Sequence, residues 1–280
     1  MENNKRGVPL GSVPFFLLVL VYWPTFLWMK ARFLEADSYY SHGFLVPLVF
    51  LFLIWTKRED LKKSKIAPLN VGLFLLIPAL LLHLIAYRWG INFVSGFSFI
   101  IALFGLLLYL FGREVTRHLA FALCFLVFMV PLPQVMIIHI SFKMKIFAAQ
   151  VATSVINLMG IQAVRDGSKV ILPNTALTIG DPCSGLRSLI SLTALGALYA
   201  YLAKLSRFRR IVLFLVSIPL ALLANIIRIV LLLIVAFVYG SKVATGKFHD
   251  ISGILLFVIA LTGLIIAGRI LSWEKEKVIS

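Results

Sequence analysis

From Ile211 to Tyr239 the chain runs for 29 residues with a single charged side chain, Arg228. Stretches of this kind recur along the sequence. They fall at Val13–Met29, Ser41–Thr56, Leu69–Tyr87, Ile91–Phe111, Leu119–Val135, Gly185–Ala203, Ile211–Tyr239 and Ile251–Leu271. A bilayer core is crossed by roughly 20 apolar residues in a helix, so each run is a candidate span. The second is short and holds Pro47; the seventh is long enough to be tilted, kinked near Pro219, or partly outside the lipid. Apolar residues make up 61% of the chain, charged residues 14%, and the mean hydropathy is +1.02. A soluble domain is about half apolar and a quarter charged. No globular core of this length has enough interior positions to hide the excess. The pattern predicts an all-α polytopic membrane protein with about eight transmembrane helices, forming a single integral membrane domain over residues 1–280. The first run lacks a small-residue cleavage pattern and reads as a retained helix.

The net charge of +16 does not point to nucleic acid, because the basic residues form no single face or tail. They sit in short clusters between apolar runs, as the positive-inside rule expects. With the N-terminus inside, sixteen of the 27 basic residues fall on the inner side and nine on the outer, while Arg187 and Arg228 lie within spans. This predicts a multi-pass protein of the cell (inner) membrane with both termini cytoplasmic and in contact with membrane lipids.

The long outer segment, about residues 131–182 between spans five and six, has room for structure outside the lipid. Ile140, Met144, Phe147, Val151, Val155 and Leu158 recur at helical spacing, with Lys143, Gln150 and Asn157 on the other stripe. This reads as an outer amphipathic helix lying in the interface or lining a groove. Asp166-Gly167 is a hairpin-turn pair between Val164 and Leu172. Pro173-Asn174 then precedes a third short run, Ala176–Ile179. A small β element therefore leads into Asp181-Pro182-Cys183.

Of the two cysteines, Cys124 lies inside an apolar run and Cys183 in a polar segment, which fits neither a disulfide framework nor a metal cluster. Asp181 and Pro182 suit the N-cap and first turn of a helix. A thiol there faces the positive end of the helix dipole, and Arg187, one turn on, adds a cation; both favour thiolate. Arg228 costs roughly 3 kcal/mol at the centre of a membrane span, which points to function or pairing, and Asn225 lies one turn before it. His249 sits where the last span begins, beside Asp250, itself a good cap. Cys183, Arg228 and His249 come from three spans and share one predicted depth, so His249 is placed to take a thiol proton. His42, in Ser41-His42-Gly43-Phe44, falls at another outer boundary. No His, Cys or carboxylate pair has metal-ligand spacing, and no cofactor is called for.

The segments Cys183-Ser184-Gly185-Leu186-Arg187-Ser188-Leu189, Ala224-Asn225-Ile226-Ile227-Arg228, and His249 with Gly253 resemble the exosortase/archaeosortase family. The early Ser41-His42-Gly43-Phe44-Leu45-Val46-Pro47 stretch is similar to that family's N-terminal pattern. The resemblance implies a membrane-embedded cysteine protease or transpeptidase. Its partners would be exported proteins ending in a short motif (Pro-Glu-Pro in many bacteria), a transmembrane helix and a basic tail. The enzyme would cut there, at the outer face, and pass the product to an acceptor nucleophile. It further implies Cys183 as nucleophile, Arg228 as electrostatic stabiliser and His249 as the third catalytic residue. Arg187, Asn225, Ser184 and His42 would support them or bind substrate. Histidine at the third position is similar to the bacterial branch. Two other classes compete: an envelope-polymer transporter in which Arg228 binds an anionic substrate, and a membrane acyltransferase that loads an acyl group on Cys183.

Overall fold

The computed structural model describes residues 8–35, 38–180 and 183–277. They divide into two compact units with the boundary between Pro133 and Gln134. In the first unit, α1 (Val8–Val21) and α2 (Trp23–Leu34) form a pair bent by 61° rather than the straight span expected from Val13 to Met29. The cause is local. Pro24 in the first turn of α2 supplies no N–H, which favours the break at Tyr22. The break frees the Val21 carbonyl, and His83 Nε2 lies 3.1 Å from it. A carbonyl only accepts, so Nε2 carries the proton and Nδ1 accepts from Ser95 Oγ at 2.7 Å. Ser95 then accepts from Thr25. A buried chain of hydroxyls thus satisfies the broken turn.

The rest of the first unit comprises α3 (Leu45–Thr56), α4 (Arg58–Lys63), α5 (Leu73–Arg88), α6 (Asn92–Phe111) and α7 (Arg113–Phe125). The helix expected over Leu119–Val135 starts earlier and ends earlier. After Phe125 the chain tightens into a 3₁₀ turn, Leu126–Met129, and leaves helical geometry at Val130 (φ −82°, ψ 111°). Pro131 disfavours helix at the residue before it, which explains the stop.

The second unit holds α8 (Gln134–Leu158), a three-stranded antiparallel sheet, α9 (Leu186–Leu202), α10 (Arg207–Tyr239), α11 (Ser241–Thr245) and α12 (Lys247–Lys277). The strands are β1 (Val164–Asp166), β2 (Lys169–Ile171) and β3 (Ala176–Thr178), in the order β1-β2-β3. Asp166 pairs with Lys169 across the expected turn, with Gly167 at φ +58°. The hairpin and third strand are as the sequence predicts.

Among the described residues, five helices are long and apolar enough to cross a membrane: an extended α5, α6, α8, α10 and α12. The bent pair makes six if it counts as one span, and Ser41–Thr56 and Leu186–Leu202 are shorter apolar helices. The chain is a polytopic helical membrane protein. Helix α8 differs from the sequence reading: it is continuous over 25 residues and apolar enough to cross, not only amphipathic from Ile140 onward. Its alanines, Ala148, Ala149 and Ala152, with Ile156, let it pack against Ile229, Leu232, Leu233 and Ala236 of α10. Val170 and Leu177 of the sheet close the same core.

Candidate active site

Cys183 stands in the connection between β3 and α9, and its backbone N–H turns back to Gly180 O at 3.1 Å. Helix α9 begins at Leu186, later than the predicted start at Pro182, with Gly185 as its N-cap at φ +79°. That left-handed conformation suits glycine, which has no Cβ. A second constraint acts on the same residue, since a Cβ there would come 2.5 Å from Asn225 Cγ. The turn that presents Cys183 therefore rests on the Asn225 rung of α10. Ser184 is buried, and its Oγ accepts from Leu186 N–H at 3.4 Å, tying that turn to the start of α9. Asp181 and Pro182, the expected cap, lie outside the described residues.

The Cys183 sulfur sits 2.8 Å from His249 Nε2. His249 is in the first turn of α12, which starts at Lys247, so the helix begins earlier than a cap at Asp250 would have it. Arg228, on α10, reaches the same imidazole. Its Nη2 is 3.1 Å from Nε2 and 3.4 Å from Nδ1, and it donates to the His249 carbonyl at 2.9 Å. Ser252 Oγ donates to that carbonyl as well, at 2.9 Å. Two donors on one carbonyl fix the turn that carries the imidazole. Gly253, four residues after His249, leaves space for the guanidinium: a Cβ there would stand 3.0 Å from Nη2. Sequence reasoning gave no role to Ser252 or Gly253 in placing Arg228. Their signal is the helical spacing from His249, which puts Gly253 on the histidine's own face.

Cys183 lies outside the apolar helices and is 8% exposed. Burial pushes its thiol above the ordinary value; Arg228 and the Gly180 turn pull in the opposite direction and do not overcome it. This corrects the expectation of a thiol lowered by the α9 dipole and Arg187. Ser184 and Gly185 separate Cys183 from the first helical position, Arg187 is exposed, and the cation that pulls on the thiol is Arg228. The sulfur thus lies beside an imidazole nitrogen that can accept its proton. A guanidinium stands ready for the negative charge that appears when it does.

Asn225 is 5% exposed and, with Ser188, Arg228 and Gly253, lines a cavity of about 40 Å³ between α9, α10 and α12. His42 belongs to the first unit, in the 3₁₀ turn before α3, with its ring stacked on Tyr40. Cys124 is exposed on the surface of α7.

A cysteine, a histidine and an arginine are thus brought together from a loop and two long apolar helices of a membrane protein. No curated protein and no solved structure matches the chain. The model of the transmembrane exosortase family (Exosortase_EpsH) matches residues 12–266, and the chain belongs to that family.

Proposed function

We propose that this protein is a cysteine transpeptidase of the cell membrane that processes a C-terminal sorting signal on exported proteins and transfers the product to an acceptor. One integral domain over residues 1–280 would carry the site, with both termini cytoplasmic. The observation that carries the reading is the 2.8 Å approach of Cys183 Sγ to His249 Nε2, with Arg228 Nη2 3.1 Å from the same nitrogen.

Neutral His249 Nε2 takes the proton as Cys183 Sγ attacks the scissile carbonyl carbon. A C–S bond forms and the carbonyl π pair moves to oxygen. Arg228 is placed to stabilise that oxyanion; one such donor is commonly worth about 2.7–4 kcal/mol. The intermediate collapses with cleavage of the C–N bond, and His249 returns the proton to the leaving amine. An acceptor amine, or water, then gives its proton to His249 and attacks the thioester, releasing Cys183 as thiol. While the sulfur holds its proton toward Nε2, that nitrogen's single lone pair is occupied, so the guanidinium cannot share it.

The membrane placement rests on two helices. Arg228 lies 21 residues beyond Arg207 on α10, or ~32 Å, and Arg269 lies 20 residues beyond His249 on α12, or ~30 Å. Arg209 Nη1 donates to Leu271 O at 2.9 Å, so the two basic ends meet. With that basic end on the cytoplasmic side, the catalytic residues stand one hydrocarbon thickness away, at the outer face.

The test is the intact mass of an exported protein bearing a short motif, an apolar helix and a basic tail, isolated from cells carrying each variant. Cys183→Ala leaves the C-terminal signal in place at normal membrane levels of the enzyme, and Cys124→Ala removes it normally. Normal removal with Cys183→Ala would overturn the covalent mechanism and favour transport of an envelope polymer.

A further inference from the structure

Away from the catalytic residues, the first unit contains an apolar cavity of about 440 Å³. Its walls come from α1 (Phe15), α3 (Ile54), α6 (Leu107) and α7 (Val115), and Leu61 and Ile66 bound it at the α4 end. The volume is within the range of small-molecule sites, about 300–1,000 Å³. The walls present no polar group able to orient a peptide, so a hydrocarbon chain fits them best.

The charge beside the cavity selects among hydrocarbon-bearing molecules. Leu61 and Ile66 are flanked in sequence by Lys62, Lys63 and Lys65, and Val115 by Arg113 and Arg117. The acidic side chains nearby are already engaged. Lys57 pairs with Asp60 at 3.1 Å, Lys62 with Glu59 at 3.0 Å, and Glu114 accepts from Lys65 N–H at 3.1 Å. Lys63, Lys65, Arg113 and Arg117 are exposed, so an excess of positive charge borders the apolar walls.

We propose that this cavity is a binding site for an anionic phospholipid, with an acyl chain between α1, α3, α6 and α7 and the phosphate on the basic α4–α7 rim. Basic pockets between membrane helices bind anionic head groups, and each Lys or Arg near an anionic surface contributes roughly a fivefold gain in binding. A zwitterionic lipid offers the same chain without the net charge, and a substrate's basic tail would be repelled.

The experiment is native mass spectrometry of the full-length protein, delipidated in detergent and titrated with phosphatidylglycerol or phosphatidylcholine of the same chains. Phosphatidylglycerol is retained at lower concentration and to higher collision energy. The double variant Lys63→Gln/Lys65→Gln loses roughly 25-fold in that preference. Leu107→Trp, which fills the cavity, loses retention of both lipids while the protein stays monodisperse. Equal retention of the two lipids by the parent would overturn the charge-selected site. Unchanged lipid counts in Leu107→Trp would overturn the cavity as its location. Should Leu107→Trp not fold, the double variant, whose side chains are exposed, still decides: an unchanged preference would overturn the proposal. Neither reading depends on peptide processing.

Discussion

Burial and Arg228 act on the Cys183 thiol in opposite directions, and burial is the larger effect. A raised thiol stays protonated to higher pH, so the proposed mechanism has His249 take its proton as the sulfur attacks. Removing Arg228 removes an opposing influence and raises the thiol further. Site-resolved mass spectrometry of iodoacetamide alkylation against pH checks both signs. The midpoint for Cys183 lies above that of an ordinary cysteine and moves higher still in Arg228→Gln. A midpoint below the ordinary value, or one unmoved by Arg228→Gln, would contradict the electrostatics described. Arg228→Lys tests geometry at the same position: it keeps the charge but loses the planar fork. Processing falls by about 10²-fold, the loss typical of removing one oxyanion donor.

Helix α10 shows what periodicity alone misreads. It runs 33 residues, or ~50 Å, well beyond the ~30 Å hydrocarbon core. Arg228 looked like a charge deep in a span because apolar residues follow it as far as Tyr239. Those residues serve a different purpose: Ile229, Leu232, Leu233 and Ala236 form a core with α8 and the sheet. Hydropathy does not distinguish lipid from a protein core, so the sequence fixes neither the end of the span nor the character of α8. The site itself was more legible. Cys183, Arg228 and His249 came from three spans at one predicted depth, and the structure brings all three together. The helix was expected to begin at Pro182; the left-handed Gly185 delays α9 to Leu186, and the cation that pulls on the thiol is Arg228. Orientation is tested within the second unit. In a background lacking Cys124 and Cys183, Arg165→Cys on the hairpin labels in intact cells with a membrane-impermeant maleimide. Lys204→Cys labels only after the membrane is opened. The reverse pattern would place the catalytic residues on the cytoplasmic side.

Taken whole, the molecule is a helical membrane scaffold whose family match covers residues 12–266. The candidate site lies in the second unit, where α10 and α12 hold Arg228 and His249 at one rung and the β3–α9 connection sets Cys183 beside them. The proposed mechanism passes through one covalent species, a thioester between Cys183 and the exported protein. Hydroxylamine intercepts such an ester, so membranes containing enzyme and substrate are incubated with it and the product C-terminus is read by mass spectrometry. The account predicts a hydroxamate at the new C-terminus, formed faster as hydroxylamine rises and absent with Cys183→Ala. A product carrying only a free carboxylate at every hydroxylamine concentration, or the same product formed without Cys183, would contradict it.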